Sequence, residues 1–317
     1  MPNGTTSKVL RRSAAAFAPA AITNFFQIHY DRSGHPDGAT GGGYVLSKGT
    51  ESKVTFVPDE RFGISTVVNG DSDYNARTTH RALDLFAAAH PFGGKLVVEQ
   101  RVDTPIGSGF GASAASAISA VYAASAALGL RLSKHELASY AHRAEIIERT
   151  GLGTVSVAYR GIGAGAIIKA GEPGIARFRI VKTPGDLRIV TAFLAPYDKN
   201  DAISSRTISK RIDMLGRQAL ASFLQDPTLE TLTAEGEKFS KGLGLESREV
   251  KKLISVAKSS GALSASQNMI GYAIHALADE DRCGRIQAEL RRIAPAARVD
   301  VFHVGRVRAG VIRPSHR

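Results

Sequence analysis

The chain has 317 residues, of which 43% are hydrophobic and 22% are charged. This length suits one large domain or two closely packed ones, at roughly 100–200 residues per domain, and the composition excludes a globally disordered chain and a coiled coil. Cys283 is the only cysteine. The sequence therefore excludes an internal disulfide framework and a cysteine-based zinc site, and it favours a reducing, cytoplasmic location.

The net charge is strongly positive, at +12 from 41 basic and 29 acidic residues. More than half of the excess lies between Arg282 and Arg317, where nine arginines stand against Glu289 and Asp300. A basic chain attracts anionic partners. A nucleic-acid interface would ideally add interleaved aromatic side chains or a recognisable motif, but this segment has only Phe302 and the chain has no Trp. We therefore expect a solvated basic face or small polyanionic ligands, and no nucleic acid.

The N-terminal stretch allows two interpretations. Arg11 and Arg12 precede the Ala-rich run Ala14–Ile22, which superficially resembles a twin-arginine export signal. Pro19 interrupts that run, and no stretch approaches the ~20 apolar residues that span a bilayer. We therefore favour a short polar tail, Met1–Arg12, that leads into a first strand, and we expect no membrane association.

The first half of the chain is predicted to be rich in strands, with helices inserted. Short Val- and Ile-rich runs with partial alternation predict strands over Lys53–Val57, Gly63–Val68 and Lys95–Val102. A helix is predicted between them, over Thr78–Ala89. The Ala- and Ser-rich stretch Ser113–Leu128 predicts a thin helix that lets its neighbours approach closely. The next helix begins at a capping box formed by Ser133 and Glu136, and it should run to about Arg149.

Further strands, and then mainly helices, are predicted for the rest of the chain. The predicted strands are Thr154–Tyr159 paired with Ala164–Ala170, then Arg177–Ile180 and Leu187–Phe193. From Ser204 the pattern changes to helix, because apolar residues fall on one face at Ile208, Ile212, Leu215, Ala219 and Phe223. Later helices are predicted over Leu229–Gly242, Glu246–Ser259, Ser266–Ala278 and Arg285–Ile293, followed by strands over Val299–Val304 and Arg306–Ile312. This pattern predicts an α+β protein, which we divide into domains at residues 1–185 and 186–317.

The most informative stretch is a glycine-rich loop between a predicted strand and a predicted helix, with the sequence PIGSGFGASAA from Pro105 to Ala115. Glycines at alternate positions leave backbone N–H groups free to converge on an anion, and the N-terminus of the following helix points its own N–H groups at the same place. Phosphate is the natural ligand. The loop has no Lys, which excludes a P-loop, and its G-x-G-x-G spacing differs from the G-x-G-x-x-G of dinucleotide-binding proteins. Close packing is the alternative explanation of these glycines.

Three motifs resemble those of a known family and follow one another along the chain in the same order as in that family. Pro105–Ala115 resembles the phosphate-binding motif of the GHMP kinases, the superfamily of homoserine, mevalonate and galactose kinases. Within that superfamily, several segments resemble the archaeal pantoate kinases. These segments are GFGAS in the loop, FAPAAITNFF from Phe17 to Phe26, AHRAE from Ala141 to Glu145, TGLG from Thr150 to Gly153, and SQNMIGYAIHA from Ser266 to Ala276.

The resemblance implies both a fold and a reaction. The implied fold is the GHMP kinase fold, with an N-terminal domain of ribosomal-protein-like α/β type and a ferredoxin-like C-terminal domain. The implied reaction is the phosphorylation of pantoate to 4-phosphopantoate with ATP and Mg²⁺, during coenzyme A biosynthesis in archaea. The resemblance also implies a homodimer.

Roles for particular residues follow from the same resemblance. The residues implied to hold the ATP phosphates are Pro105, Gly107, Ser108, Gly109, Phe110, Gly111, Ala112 and Ser113. Ser113 and Glu145 are implied as the catalytic residues and the Mg²⁺ ligands. The residues expected at the acceptor are Thr23, Asn24, Gly41, Gly42, His142 and Arg143. Bland alternatives stay open: Ser113 could only cap its helix, Glu145 could only pair with Arg149, and His142 could be structural.

Several positions depart from the pattern of the pantoate kinases. Thr154 stands where that family usually has Asp, the superfamily's candidate general base, and a threonine hydroxyl cannot take a proton at neutral pH. Ala21 and Asn24 replace the usual His and Gly, and residues 38–43 read GATGGG where GSRGAG is expected. These departures leave open another acceptor, of homoserine or mevalonate type, and a non-catalytic nucleotide-binding homologue. Candidate groups for a substrate carboxylate are Arg77, Arg81, Arg143 and Lys48.

Overall fold

The strands form two sheets within residues 11–196 and 205–313, the parts of the chain that the computed structural model describes. The strands of the first sheet are β1 (Arg12–Tyr30), β2 (Pro36–Val57), β3 (Gly63–Val68), β4 (Lys95–Val102), β5 (Ala164–Lys169), β6 (Arg177–Val181) and β11 (Gly310–Ile312). The strands of the second sheet are β7 (Leu187–Phe193), β8 (Ser264–Gln267), β9 (Ala273–Asp279) and β10 (Arg298–His303).

The first sheet is built on the long β1–β2 hairpin. Its order is β11-β1-β2-β4-β3, and β5 pairs with β2 while β6 pairs with β5. The two halves of β2 have different partners: Thr50–Val57 pairs with β4, and Gly41–Tyr44 pairs with β5. Only the β3–β4 pair of this sheet is parallel among the strands described. Because β2 changes partner along its length, its Gly41–Tyr44 half lies beside β5 and its other half beside the strand that leads into the glycine-rich loop.

The second sheet is antiparallel and has the order β10-β7-β9-β8. The helices of the described chain are α1 (Arg77–Ala89), α2 (Ala112–Leu128), α3 (Lys134–Ile147), α4 (Thr154–Arg160), α5 (Arg206–Gln225), α6 (Leu229–Leu243), α7 (Arg248–Ser259) and α8 (Glu280–Ile293). With three helices described between β7 and β8 and one between β9 and β10, this part of the chain has a β-α-β-β-α-β pattern of ferredoxin-like type. The α+β class is confirmed, and the division at residues 185 and 186 stays a prediction.

The helix α2 lies at the centre of the first core. Almost all of its Ala and Ser side chains are buried, and it packs against the first sheet and against α1 and α3. Small side chains allow this approach from several directions, as the composition predicts. Packing against the first sheet and the two neighbouring helices therefore fixes the position of α2.

Most predicted elements are confirmed with small shifts at their ends, but the strand predicted over Lys53–Val57 is only the last part of the much longer β2. The strand predicted over Arg306–Ile312 covers only β11, and α3 ends at Ile147. The run Ala14–Ile22 lies within β1, while residues 1–10 and Ser204 lie outside the described residues. In the parts of the chain described here, no helix has both the length and the apolar character needed to cross a lipid bilayer.

Two predicted elements are wrong. The segment Thr154–Tyr159, predicted as a strand from its alternation of Val with polar residues, is the helix α4. The segment Ser266–Ala278, predicted as a helix, forms β8, a turn and β9. In both cases burial in the tertiary structure overrides the local pattern, because α4 buries Val155, Ser156 and Ala158 and both faces of β9 are buried.

The contact between α5 and β1 gives a testable prediction. Gly216 lies inside α5, where a Cβ atom would overlap the carbonyl oxygen of Phe26. We expect Gly216→Ala to lower the free energy of unfolding by about 1–3 kcal/mol, because the backbones would have to separate. Denaturant unfolding followed by circular dichroism measures this change.

The matched control is Gly284→Ala in α8, where nothing lies within 4 Å of the added Cβ. Alanine should stabilise that exposed helix by about 0.5–1 kcal/mol, because glycine costs helical stability. Stabilisation by both substitutions would contradict the close approach of α5 to β1.

Candidate active site

The glycine-rich loop between β4 and α2 has a left-handed backbone at four positions. The φ angles are +90° at Gly107, +50° at Ser108, +83° at Gly109 and +67° at Gly111, which caps the start of α2. Successive residues of this kind turn their N–H groups toward one side, and the helix N-terminus adds partial positive charge there. The loop therefore has the geometry of an anion-binding nest.

The loop forms one wall of a cavity of about 400 Å³, the phosphate cavity. Residues 106–113 line it, together with Arg77 and Thr150 and the turn residues Met269–Gly271. Among its described lining residues Arg77 and Arg149 are the charged ones, and none is acidic. The electrostatics of this cavity thus favour a polyanion.

Ser113 and Glu145 come together at the start of α2. The Ser113 hydroxyl lines the phosphate cavity and donates a hydrogen bond of 3.3 Å to Oε1 of Glu145. Glu145 is fully buried on α3, and its carboxylate packs so tightly on Gly151 that a Cβ there would overlap it. Arg149, considered as the helix partner of Glu145, lies two residues beyond the end of α3 and lines the phosphate cavity.

The Ser113–Glu145 pair fits Mg²⁺ by its chemistry. A hydroxyl and a carboxylate supply two oxygen ligands, and Mg²⁺ commonly takes one or two protein ligands and completes its shell with phosphate and water. No cluster of three or more His, Cys, Asp or Glu side chains occurs among the residues described, so a metal held entirely by such side chains has no site there. The pair suits an ion that arrives with a phosphorylated ligand.

A turn of the second sheet holds the phosphate loop from the opposite side. The Ser108 hydroxyl donates to the carbonyl oxygen of Ala195 at 2.7 Å and accepts from the N–H of Tyr272 at 3.1 Å. A Cβ on Gly109 would lie 3.0 Å from the carbonyl oxygen of Asn268, and one on Gly271 would overlap Ser108. The side chain of Ser108, predicted to contact phosphate, is therefore used to attach the loop to this turn.

The turn is itself fixed by buried polar contacts. Nδ1 of His275 lies 2.8 Å from Oδ1 of Asn268, and the Gln267 amide donates to the carbonyl oxygen of Gly271 at 2.9 Å. Burial lowers the pKa of His275 to about 3. Because this histidine is neutral at physiological pH, the contact persists without charge.

A second cavity, of about 560 Å³, adjoins the first and is here termed the acceptor cavity. Thr23, Gly41 and Gly42 line it, as predicted for acceptor-binding residues. Most of the remaining lining is aliphatic or aromatic, from Ile22, Phe26, Ile146, Ile147, Leu152, Val157, Ile162 and Ile167. Arg149 and His35 are its only described basic side chains, and no described lining residue is acidic. The cavity suits a small acid with an apolar, branched body.

The two cavities share a wall. Five residues line both of them: Ala21, Thr23, Arg149, Thr154 and Met269. Thr154 is the first residue of α4, and its methyl group lies so close to Gly111 that an added Cβ would be 2.7 Å away. A group passing from one cavity to the other would therefore meet two hydroxyls and one guanidinium, with no carboxylate among the shared lining residues described.

Three predicted acceptor-binding residues lie outside the described lining of both cavities. Asn24 is buried and donates to the hydroxyl of Tyr44 at 2.9 Å. His142 is 2% exposed, and burial lowers its pKa. The guanidinium of Arg143 is exposed and lies 4.9 Å from the ring centre of Tyr140. The structure therefore does not bring these three side chains to the cavities.

Of the predicted carboxylate-binding candidates, only Arg77 lines a cavity, and Arg81 pairs with Glu148 at 2.9 Å. The sequence analysis missed Arg149, which it treated only as a helix partner of Glu145. The signal available in the sequence was its place directly before the TGLG motif, in a stretch that follows the end of α3.

Comparisons with known proteins agree with this geometry. The family described as "GHMP kinases N terminal domain" matches residues 77–161, which include the phosphate loop, Glu145 and Thr154. A pantoate kinase of Methanospirillum hungatei is 28% identical over 83% of this chain and 86% of its own, and one of Thermococcus kodakarensis is 29% identical over 84% and 88%. A solved structure titled "Phosphotransferase related to CoA biosynthesis pathway" is 26% identical and superposes with a TM-score of 0.83, over 96% of this chain and 99% of that one.

The fold, the phosphate loop and these matches confirm the resemblance to the GHMP kinases that the motifs predict, and they indicate a kinase. Within that class, the curated relatives that it matches here are pantoate kinases.

The attachment of the phosphate loop to the turn of the second sheet can be tested at Ser108. Ser108→Ala removes two partly buried hydrogen bonds, to the N–H of Tyr272 and the carbonyl of Ala195, so we expect a loss of about 1–3 kcal/mol in stability. Because the loop also loses its anchor, affinity for a non-hydrolysable ATP analogue should fall about tenfold or more, as measured by calorimetry.

Ser125→Ala is the matched control, since the Ser125 hydroxyl is buried at the far end of α2 and donates to the carbonyl of Leu130 at 3.4 Å. Equal nucleotide affinity in the two variants would show that the anchor has no role in binding.

Proposed function

We propose that this protein transfers the γ-phosphoryl group of ATP to the terminal hydroxyl of pantoate, with Mg²⁺, to give 4-phosphopantoate and ADP. The observation that carries the proposal is the pair of adjoining cavities, one opening on the phosphate loop and the other apolar and free of described acidic lining residues. The similarity to two pantoate kinases supports the choice of reaction.

The nucleotide is proposed to occupy the phosphate cavity. Backbone N–H groups of Gly107–Gly111 and of the first turn of α2 would bind the phosphate oxygens, and Arg77 would add charge from the rim. Ser113 and Glu145 would hold Mg²⁺, which when bound neutralises charge on the phosphates and fixes their orientation. These residues orient the γ-phosphate toward the wall shared with the acceptor cavity.

The acceptor is proposed to occupy the second cavity with its reacting hydroxyl at Thr23 and Thr154. The hydroxyl oxygen forms a bond to the γ-phosphorus as the bond to the β–γ bridging oxygen breaks. The hydroxyl proton passes to solvent, and ADP leaves with the bridging oxygen. Thr154 cannot act as a base, but a loose transition state needs little proton removal before bond formation, so positioning and charge stabilisation suffice.

The lining of the acceptor cavity favours pantoate over homoserine. Pantoate has two geminal methyl groups, which suit an aliphatic wall, and its negative charge meets no acidic residue in the described lining. Homoserine carries an ammonium group, and a buried ammonium requires an acidic or carbonyl partner. Because the described lining includes no carboxylate, the ammonium would be costly to bury. Mevalonate, also an acid with an apolar branch, is the second candidate.

The setting of the reaction follows from the resemblance. We propose that the enzyme acts in coenzyme A biosynthesis, in the cytoplasm of an archaeal cell, as a homodimer. The similarity to archaeal pantoate kinases and to a phosphotransferase of coenzyme A biosynthesis supports this proposal.

The acceptor is tested with purified protein, ATP and Mg²⁺, by ADP release in the presence of pantoate, homoserine or mevalonate. We expect turnover with pantoate and at least a hundredfold lower kcat/KM with homoserine. Turnover with mevalonate but not with pantoate would make mevalonate, the second candidate, the acceptor. Nucleotide binding without turnover on any of the three acids would indicate a non-catalytic homologue.

The metal-binding pair gives a further prediction. Ser113→Ala and Glu145→Gln should each lower kcat by about a hundredfold or more, because each removes one charge-stabilising contact at the reacting phosphate. In steady-state assays with Mg²⁺ varied from micromolar to millimolar, Glu145→Gln should need a higher Mg²⁺ concentration to reach half of its maximal rate. Rates within threefold of the wild type in both variants would reject these roles, with Ser125→Ala again as the control.

A further inference from the structure

Arg149 lines both cavities and lies just beyond the end of α3, at a position where glycine is usual. It follows the end of α3, where the N–H of Arg149 donates to the carbonyl of Ile146 at 3.2 Å and the N–H of Thr150 donates to that of Glu145 at 2.9 Å. This pair of bonds is the Schellman arrangement, in which the residue at the position of Arg149 is left-handed and usually glycine. The φ angle of Arg149 is indeed +55°.

An arginine in this position costs stability without returning any visible contact. The left-handed region is unfavourable for a residue with a Cβ atom. The Arg149 side chain is exposed and makes no hydrogen bond or ion pair with any residue that the structure describes. The contacts of the folded chain therefore do not explain an arginine at position 149. Arg81 differs in this respect, because its guanidinium pairs with Glu148.

The position of the side chain supplies a reason. Among the residues that line both cavities, Arg149 is the charged one. The shared wall is where a phosphoryl group would cross from nucleotide to acceptor, and it has no described carboxylate to neutralise the guanidinium. A guanidinium at such a point offers up to five N–H donors to phosphate oxygens.

We infer that Arg149 is a catalytic residue that contacts the phosphoryl group in transit and stabilises its charge. This inference rests on the proposed kinase function and adds a residue to it. The left-handed turn at the end of α3 directs this side chain to the shared wall. This placement explains why a residue with a strained backbone stands there. With Thr154 unable to act as a base, charge stabilisation by Arg149 takes a larger share of the catalysis.

The decisive variant is Arg149→Gly, because glycine suits the left-handed backbone and should fold at least as well as arginine. We expect its Tm to rise by about 2 °C or more, and its kcat to fall by about a hundredfold or more. The KM values for ATP and pantoate should change by less than about fivefold. Arg149→Lys should recover at least tenfold of the lost rate, since it keeps the charge but not the guanidinium geometry.

A binding measurement gives a second readout. ADP with Mg²⁺, aluminium fluoride and pantoate mimics the phosphoryl group in transit, and it should raise the Tm of the wild type more than ADP and Mg²⁺ alone. Arg149→Gly should lose that difference and keep the stabilisation by ADP. The control is Arg131→Gln, which removes an exposed charge from the α2–α3 connection, outside both cavities.

Three results would overturn the inference: a kcat of Arg149→Gly within threefold of the wild type, a raised KM for pantoate with unchanged kcat, or a lysine variant as slow as the glycine variant. The first two leave the proposed function intact, because the wild type would still phosphorylate pantoate. If the wild type turns over none of the acids but shows the aluminium fluoride response and Arg149→Gly loses it, the proposed function fails and the role of Arg149 at the phosphoryl position stands.

Discussion

The conformation of the phosphate loop depends on contacts from both sides of the molecule. Among the four left-handed residues from Gly107 to Gly111, Ser108 is not glycine, and its conformation is unfavourable unless neighbouring groups hold it. On one side, the buried start of α2 fixes Gly111 against Thr154. On the other side, the turn of the second sheet bonds Ser108 and packs on Gly109. The nest of N–H groups is thus a property of the two sheets together, since neither alone supplies all of these contacts.

The same packing decides which chemistry the site can perform. Because α4 begins at Thr154, directly beside Gly111, the junction of the two cavities carries hydroxyls and a guanidinium where the related kinases usually have a carboxylate. The proposed consequence is a site that orients and neutralises phosphate without a general base among the described residues that line both cavities. Phosphoryl transfer can proceed at such a site, since most of its catalysis is positioning and electrostatic stabilisation. The net positive charge of the chain is consistent with two anionic substrates meeting in neighbouring cavities.

The sequence predicts those features whose cause is local, and it fails where the cause is tertiary. The glycine loop, the capping box at Ser133 and the Ala-rich helix α2 were predictable because turn chemistry, capping and side-chain volume act within a few residues. The segment after Ser266 was not, because a β-turn at residues 268–271 with a left-handed Met269 depends on its fit to Ser108 and Gly109. Arg149 was missed for the same reason: its spacing from Glu145 suggests a helical pair, but the helix ends before it and turns it to the cavity wall.

The central claim is that the amides of residues 107–113 bind the phosphates of a nucleotide, and a crystal structure with Mg²⁺ and a non-hydrolysable ATP analogue tests it most directly. The account predicts phosphate oxygens within about 3.2 Å of several backbone nitrogens of this loop, with the metal beside Ser113 and Glu145. A nucleotide bound elsewhere, with the loop unchanged and its amides turned toward protein atoms, would contradict it.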